Sequence, residues 1–528
     1  MESIKNKERY DSLFYIGSWI LLSAVYCVFF KLICCRNGIT YDSSYQFFLN
    51  KHGVGDLFYY LKEDYSAPLY TVYLKIFSVI FGDDLITLRA SSIPLFMALF
   101  YLALFPFRRL TDKCSSITAA ALFMFSGYNV YFATDIRPTV LGYVLSAFTV
   151  VYAMLVYFEG EKKDLILFTV FASASMYSHN VSLIFAFFLY LFLIVASLIE
   201  KKKDKVIRFL VSGIIVAVLY IPWLFVIIYQ LNNIRDHYWR SQVPLSLLLD
   251  YSFVKFMGSD GYPILDLMRL LLFVAIIFVF AMRLILGKNR SGEGSIRDRL
   301  KEIKDDMPNL KKMFFLFSCV LVAVIGFYEM VIVMTQGQRF AARYFMLFSG
   351  VTIIAYSTFF CIFKSKKIIP VIAVLLVCTI FVSNMIGEYR HLSKMEEDQM
   401  VEDLVKDSDG TPVFMHFHEY SLGLMLYYFP EADHYVSPDT KSVLRTFDVF
   451  STDLGHLSSS EDIWNETDVF YILDTECYYY SEEEVIEHYA SYFEDRDTEM
   501  EIIGHYPISY CSEVGDLSDG FVLIRVSG

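Results

Sequence analysis

Several signatures that would commit a chain to known chemistry are missing here. No CxxC or HExxH pattern, Walker loop or GxGxxG fingerprint occurs along the 528 residues, so zinc, nucleotide and dinucleotide chemistry find no support. Cysteine is thinly spread: Cys27, Cys319 and Cys378 fall in apolar stretches, Cys114 and Cys361 lie near basic loops, and Cys34 and Cys35 are adjacent. In such settings the side chain acts as a small apolar group. Only Cys477 and Cys511 share the C-terminal region, and spacing leaves open whether they pair. Basic residues are scarce in that same region, where residues 388–528 hold 32 Asp plus Glu against 7 Lys plus Arg, a net of −25. Since the whole chain carries −13, the first 387 residues carry about +12. Nothing in this balance indicates a nucleic-acid partner.

What the chain has in abundance is apolar length. Hydrophobic residues make up 56% of it, and mean hydropathy is +0.45. Runs of about 20 apolar residues are what crossing about 30 Å of hydrocarbon requires. This pattern is that of an α-helical polytopic membrane protein. No small-residue cleavage site follows the first run, which therefore reads as a retained helix.

Lys and Arg clusters at residues 5–9, 108–113, 162–163, 201–205, 288–312 and 364–367 set the orientation, because such loops stay cytoplasmic. Spans near 12–33, 89–107, 115–132, 139–158, 165–178, 181–199, 206–230, 265–286, 313–334, 343–363 and 368–387 place every basic loop inside, about eleven crossings in all. Residues 68–81 are short for a span and interrupted by Lys75, so they read as an interfacial helix within a first outer loop over 34–88. The expected location is the plasma membrane, with a cytoplasmic N-terminus. Residues 1–387 form the membrane part. The odd crossing number then puts the acidic residues 388–528 outside. Strands near 412–417, 468–473 and 521–526 alternate there with helices near 388–405, 420–429 and 482–493, as in a small extracytoplasmic α/β domain.

Polar residues gather at the outer ends of these spans. Asp42 and Asp64 lie in the first loop, Asp135 and Arg137 in the second, His179 in a tight turn, Tyr238, Trp239 and Arg240 in the fourth loop, and Gln336, Gln338, Arg339 and Arg343 in the fifth. Carboxylates beside guanidinium groups at a membrane surface suit a substrate with a phosphate head and a lipid tail. Arginine binds phosphate oxygens bidentately, and a carboxylate takes the proton of an attacking hydroxyl. Each residue also has a structural alternative. Asp42 and Asp64 could cap helices, Asp135 and Arg137 could brace their own loop, and Arg343 could snorkel. His179 could sit hydrogen-bonded between packed helices, Trp223 and Trp239 could anchor at the interface, and Arg89 could pair with Asp83 or Asp84.

The segments Tyr41-Asp42-Ser43, Asp64-Tyr65-Ser66-Ala67-Pro68-Leu69-Tyr70, Phe81-Gly82 and Leu88-Arg89-Ala90-Ser91-Ser92 together resemble the first-loop pattern of GT-C membrane glycosyltransferases. The branch they resemble most is that of the protein O-mannosyltransferases and the aminoarabinose lipid A transferase. Tyr131 to Pro138, Tyr177-Ser178-His179-Asn180, Tyr220-Ile221-Pro222-Trp223-Leu224, Gln230, Tyr238-Trp239 and Arg343-Tyr344 continue the likeness in the same order. The resemblance implies transfer of a sugar from a polyprenyl-phosphate donor to an acceptor on the outer face, which could be a lipid, an envelope polymer or a protein. It makes Asp42 the general base, with Asp64 beside it in the catalytic role. Asp135, Arg137, His179, Tyr238, Arg339 and Arg343 become donor-phosphate or substrate contacts. No cofactor is required on this reading, although a divalent metal is possible because some relatives use one. Two departures stand out: Ser43 replaces the family's second carboxylate, and Ser66-Ala67-Pro68 replaces His-Pro-Pro. A transporter of lipid-linked sugar, or an inactive relative serving as an envelope scaffold, are the alternatives.

Overall fold

A computed structural model describes residues 2–34, 38–63, 66–237, 309–335, 342–364, 366–392, 396–408, 410–438, 449–451, 454–475, 481–493, 496–507 and 520–528, with 278, 305 and 307 as isolated positions. The helices of the first part are α1 (Glu2–Cys34), α2 (Tyr41–Lys51), α3 (Val54–Glu63), α4 (Pro68–Phe81), α5 (Leu85–Ala90), α6 (Ser92–Leu104), α7 (Pro106–Leu110), α8 (Lys113–Met124) and α9 (Asn129–Thr134). They continue with α10 (Pro138–Phe158), α11 (Lys162–Ser178), α12 (Asn180–Ile199), α13 (Lys203–His237), α14 (Leu310–Thr335), α15 (Met346–Phe360) and α16 (Ile368–Leu392).

Among the described residues six helical stretches are long and apolar enough to cross a membrane: Tyr10–Cys34, Leu85–Leu110, Pro138–Phe158, Asn180–Ile199, Lys203–Gln230 and Ile368–Gly387. The chain is thus a multi-pass membrane protein. Helix α10 is its hub. Every residue from 139 to 157 is buried, as expected of a helix that is apolar all round. By contrast α1 and α13 leave Leu21, Val28, Ile214 and Phe225 exposed, the apolar surface that lipid would cover.

Two expectations need correction. The span expected over 115–132 is broken: α8 ends at Met124, Asn129 donates its side-chain amide to the Phe123 and Met124 carbonyls, and α9 starts afresh. The amide satisfies carbonyls that a helix end leaves open, which stabilises the break. Arg89 pairs with neither Asp83 nor Asp84. Asp84 instead caps α5 by accepting the Thr87 N–H at 3.0 Å. The span expected over 265–286 lies, but for residue 278, outside the described residues.

Pro68 at the first helical position and Gly82 at φ 115° bound α4, so a helix does form over the stretch expected to lie at the interface. Its Ile76, Val79, Ile80 and Phe81 are exposed, while Tyr70, Thr71 and Leu74 are buried.

The C-terminal part contains α17 (Glu397–Asp407), β1 (Val413–His416), α18 (Glu419–Tyr428), β2 (Asp433–Val436), β3 (Gly455–His456), β4 (Val469–Thr475), α19 (Glu482–Ala490), β5 (Glu499–Pro507) and β6 (Gly520–Ser527). The six strands form one sheet in the order β3-β2-β1-β4-β6-β5, parallel from β3 to β4 and antiparallel beyond. Alternate residues of β1 and β4 feed two cores. Met415, Phe470 and Ile472 pack with Val485 and Tyr489 of α19, whereas Phe414, Tyr471 and Leu473 join the apolar core continuous with α18 and α2. The sheet domain therefore rests on the first loop of the membrane part.

Candidate functional site

The site starts from the local chemistry at the head of α2. Thr40 is its N-cap, and its side chain accepts the Ser43 N–H at 3.2 Å. Asp42 is therefore not the cap: it sits in the first helical turn, where a carboxylate is favoured by the helix dipole. The second loop meets this turn. Asp135, whose side chain is 1% exposed, accepts hydrogen bonds from Thr40 Oγ1 at 3.1 Å and from Ser43 Oγ. Ser43 in turn accepts the Ile136 N–H at 3.1 Å. Arg137 is the N-cap residue of α10, just ahead of Pro138, and its guanidinium forms an ion pair with Asp42. Its Nε lies 4.0 Å from the Asp135 carboxylate.

Arg137 and Asp42 keep side-chain exposures of 21% and 15%, so the pair borders solvent while Asp135 behind it does not. Asp135 thus orders the loop, and Asp42 with Arg137 faces whatever enters. Arg89 completes the brace: buried, it donates Nε to the Thr134 carbonyl at 2.7 Å and Nη2 to the Gly38 carbonyl at 2.6 Å. Those carbonyls flank Asp135 and Thr40. The guanidinium's planar fork ties the two loops together.

The other side chains fall into two groups. His179 caps α12, its Nδ1 accepting the Val181 N–H at 3.1 Å, and its ring lies 5.3 Å from that of Tyr344. It thereby meets the 3-10 turn Ala342–Phe345, which carries Arg343. His179 and Leu347, in the first turn of α15 just past that 3-10 turn, both approach Gly142, where an added Cβ would stand 3.4 Å from His179 and 2.4 Å from Leu347. Gly142 is five residues, about 7.5 Å of helical rise, from Arg137. Asp42, Asp135 and Arg137 are therefore in contact, and His179 with the Arg343 segment borders the same end of α10. Asp64, Tyr238 and Arg339 lie outside the described residues, as do Trp239 and the Cys477 and Cys511 pair.

Thr40, Tyr41, Arg89 and Glu419 were not picked out as site residues by their sequence context. Tyr41, beside Asp42, donates its hydroxyl to Glu419 of the sheet domain at 2.7 Å. A Thr one residue before a helical turn was a capping signal open to reading. Nothing local to Glu419 announces its partner 378 residues away.

The solved structures similar to this chain include the following three. ArnT from Cupriavidus metallidurans in the apo state has a TM-score of 0.48 and 9% identity, with 97% of this chain and 98% of that chain covered. The same protein bound to undecaprenyl phosphate gives 0.48 and 10%, with 96% and 98% covered. An oligosaccharyltransferase from Archaeoglobus fulgidus, in complex with Zn and sulfate, gives 0.41 and 10%, with 87% of this chain and 68% of that chain covered. No protein-family model matches the sequence, and no curated protein matches it.

Among the described residues no group of three or more His, Cys, Asp or Glu side chains is gathered as a metal would need. The cation that sits with Asp42 and near Asp135 is the Arg137 guanidinium. The described residues therefore do not fit a metal centre.

Proposed function

We propose that this protein is a membrane glycosyltransferase of the GT-C type, moving a sugar from a polyprenyl-phosphate donor to an acceptor hydroxyl on the outer face of the membrane. The observation that carries this reading is the Asp42 and Arg137 pair. A base and a phosphate-binding cation stand side by side at a half-open site, with a buried Asp135 fixing the loop behind them. The order of motifs along the sequence, which resembles that family, supports the same reading.

The chemistry follows from the pair. The donor phosphate is a better partner for Arg137 than a single carboxylate, because it offers more anionic oxygens for bidentate contact. Drawing the guanidinium toward the donor leaves Asp42 to accept the acceptor's proton. The acceptor oxygen then forms its bond to the anomeric carbon as the bond from that carbon to the phosphate oxygen breaks. Its electron pair leaves on the polyprenyl phosphate, where Arg137 and, from the 3-10 turn, Arg343 balance the growing charge. A single displacement of this kind inverts the anomeric centre. Residues 1–387 supply this machinery, residues 388–528 cover it from outside, α4 lies at the interface, and the host membrane is the plasma membrane.

The test compares envelope lipids, polymers and proteins by mass spectrometry in cells with the normal chain, without it, and with Asp42→Asn. Loss of one glycan mass in both the deletion and the Asp42→Asn cells is expected. Identical masses in all three would sink the transfer reaction, and full rescue by Asp42→Asn would favour transport of the lipid-linked sugar.

A further inference from the structure

Two thiols far apart in sequence meet where α8 begins and α15 ends. Cys114 is the second residue of α8, and Cys361 is the C-cap of α15, 247 residues further on. Cys361 Sγ donates to Cys114 Sγ at 3.4 Å, and Thr118 Oγ1, one turn along α8, lies 3.5 Å from Cys361 Sγ. Read from sequence, each cysteine is a small apolar residue near a basic loop. Brought together, they form a dithiol with a chemistry neither has alone.

The two thiols are not equivalent. Cys361 is buried, whereas Cys114 is partly open beside the exposed Asp112 and Lys113. The hydrogen bond from Cys361 is the main cause that pulls the Cys114 thiol down to about 7. Burial and the Asp112 carboxylate oppose it, and Lys367 assists. The thiolate is the nucleophile in sulfur chemistry, so Cys114 reacts first and Cys361 resolves.

The basic loops at residues 108–113 and 364–367 predict that this end of the bundle faces the cytosol. Thiols there are kept reduced, and a disulfide formed there is transient and redox-sensing rather than structural. To bond, the sulfurs must close from 3.4 Å to about 2.05 Å. A thiol can make that change by turning about χ1, since α8 and α15 are packed against each other.

We propose that Cys114 and Cys361 are a peroxide-responsive oxidation site whose disulfide staples α8 to α15. The Cys114 thiolate attacks one oxygen of hydrogen peroxide. An S–O bond forms, the O–O bond breaks, and the departing hydroxide takes up a proton to leave as water. Cys361 then attacks the Cys114 sulfur: the S–S bond forms, the S–O bond breaks, and the second hydroxide leaves as water with the Cys361 proton. Two thiols are oxidised, one peroxide is reduced, and a dithiol reductant reverses the bond. A crosslink between residues this distant restricts the unfolded chain strongly, so the oxidised protein resists unfolding. Helix α8 leads through α9 to Asp135 and Arg137, and α15 follows the turn that carries Arg343. The staple thus fastens the far ends of the two helices that run to the outer site, whatever reaction that site performs.

The test uses intact cells making the full chain, pulsed with hydrogen peroxide and quenched in acid. Thiols are then alkylated under denaturing conditions with one maleimide before reduction and a second after it. Without peroxide both cysteines are expected to carry the first label. After the pulse both should carry the second, and unreduced digests should contain a peptide joining Cys114 to Cys361 that dithiothreitol removes. Cys319 and Cys378, within α14 and α16, should keep the first label throughout. In the purified chain, oxidation should shift thermal unfolding upward for the normal protein and not for Cys361→Ser. The labelling needs no variant, so a folding defect in Cys361→Ser cannot mimic it. A pair that stays reduced through the pulse, is already bridged before it, or bonds to other cysteines would overturn the site. So would oxidation of Cys319 and Cys378 alongside it, or a disulfide that leaves the unfolding temperature of the normal chain unmoved.

Discussion

At Ser43 one hydroxyl serves two buried partners, donating to Asp135 and accepting the Ile136 N–H. This explains why a carboxylate, which the resemblance leads one to expect at this position, has no room here. Ser43 is fully buried, and a Glu would bring a second negative charge against Asp135 where solvent does not screen it. Ser43→Ala should cost about 1–3 kcal/mol by leaving the Ile136 N–H unpaired and stripping one donor from Asp135. Ser43→Glu should cost more and should not raise transfer. Thermal unfolding of the purified chain, with glycan masses from the same cells, checks both. A Ser43→Glu chain with undiminished stability and higher activity would show that the pocket accepts the second carboxylate after all.

Between elements, the decisive contact is that of α2 with α18. Gly423 makes it possible, because a Cβ there would stand 2.4 Å from Ser44 Oγ and 2.8 Å from the Phe450 ring. Around it Phe47 meets Tyr427 and Tyr45 meets Phe450, so the packing is aromatic and tight. Gly423→Val should force the two helices apart at a cost of about 1–3 kcal/mol or more, since overpacked cores yield by shifting backbone. The expected readout is faster tryptic cleavage of the sheet domain and a drop in transfer with undecaprenyl phosphate binding retained. Unchanged cleavage would mean that α18 does not need this close approach.

This contact also marks the limit of what sequence patterns disclose. Helices α10, α12 and α13 were legible because apolar length is local; α5 and α8 begin on the N-caps Asp84 and Asp112, which are local signals too. Strands β1, β4 and β6 were legible from short apolar runs. β2 reads Asp-His-Tyr-Val, polar in its first half, β3 has only two residues, and β5 is an edge strand whose Glu499 and Glu501 disguise it. At the site, the Asp42, Asp135 and Arg137 set was visible as polar residues at span ends. Arg89 was misread because Asp83 and Asp84 are near in sequence, whereas its carbonyl partners lie 45 and 51 residues away.

Over the whole molecule the charges separate, with +12 in residues 1–387 and −25 in residues 388–528. Arg109, Lys205 and Lys311 lie at one set of helix ends. Arg109 is bound there to Asp164 at 2.7 Å and to Glu159 at 2.5 Å, while Lys205 and Lys311 both reach Glu200 at 3.1 Å. Asp42 and Arg137 occupy the opposite end of α10 from Glu159, with the acidic domain packed beside them. Retention of basic loops in the cytoplasm then predicts one orientation for all of it. An epitope inserted between Lys201 and Lys202, in the turn joining α12 to α13, should bind antibody only after cells are permeabilised. The same epitope after Gly528 should bind on intact cells. If the first is reached on intact cells and the second is not, the orientation is reversed, and a donor presented on the outer face could not reach Arg137.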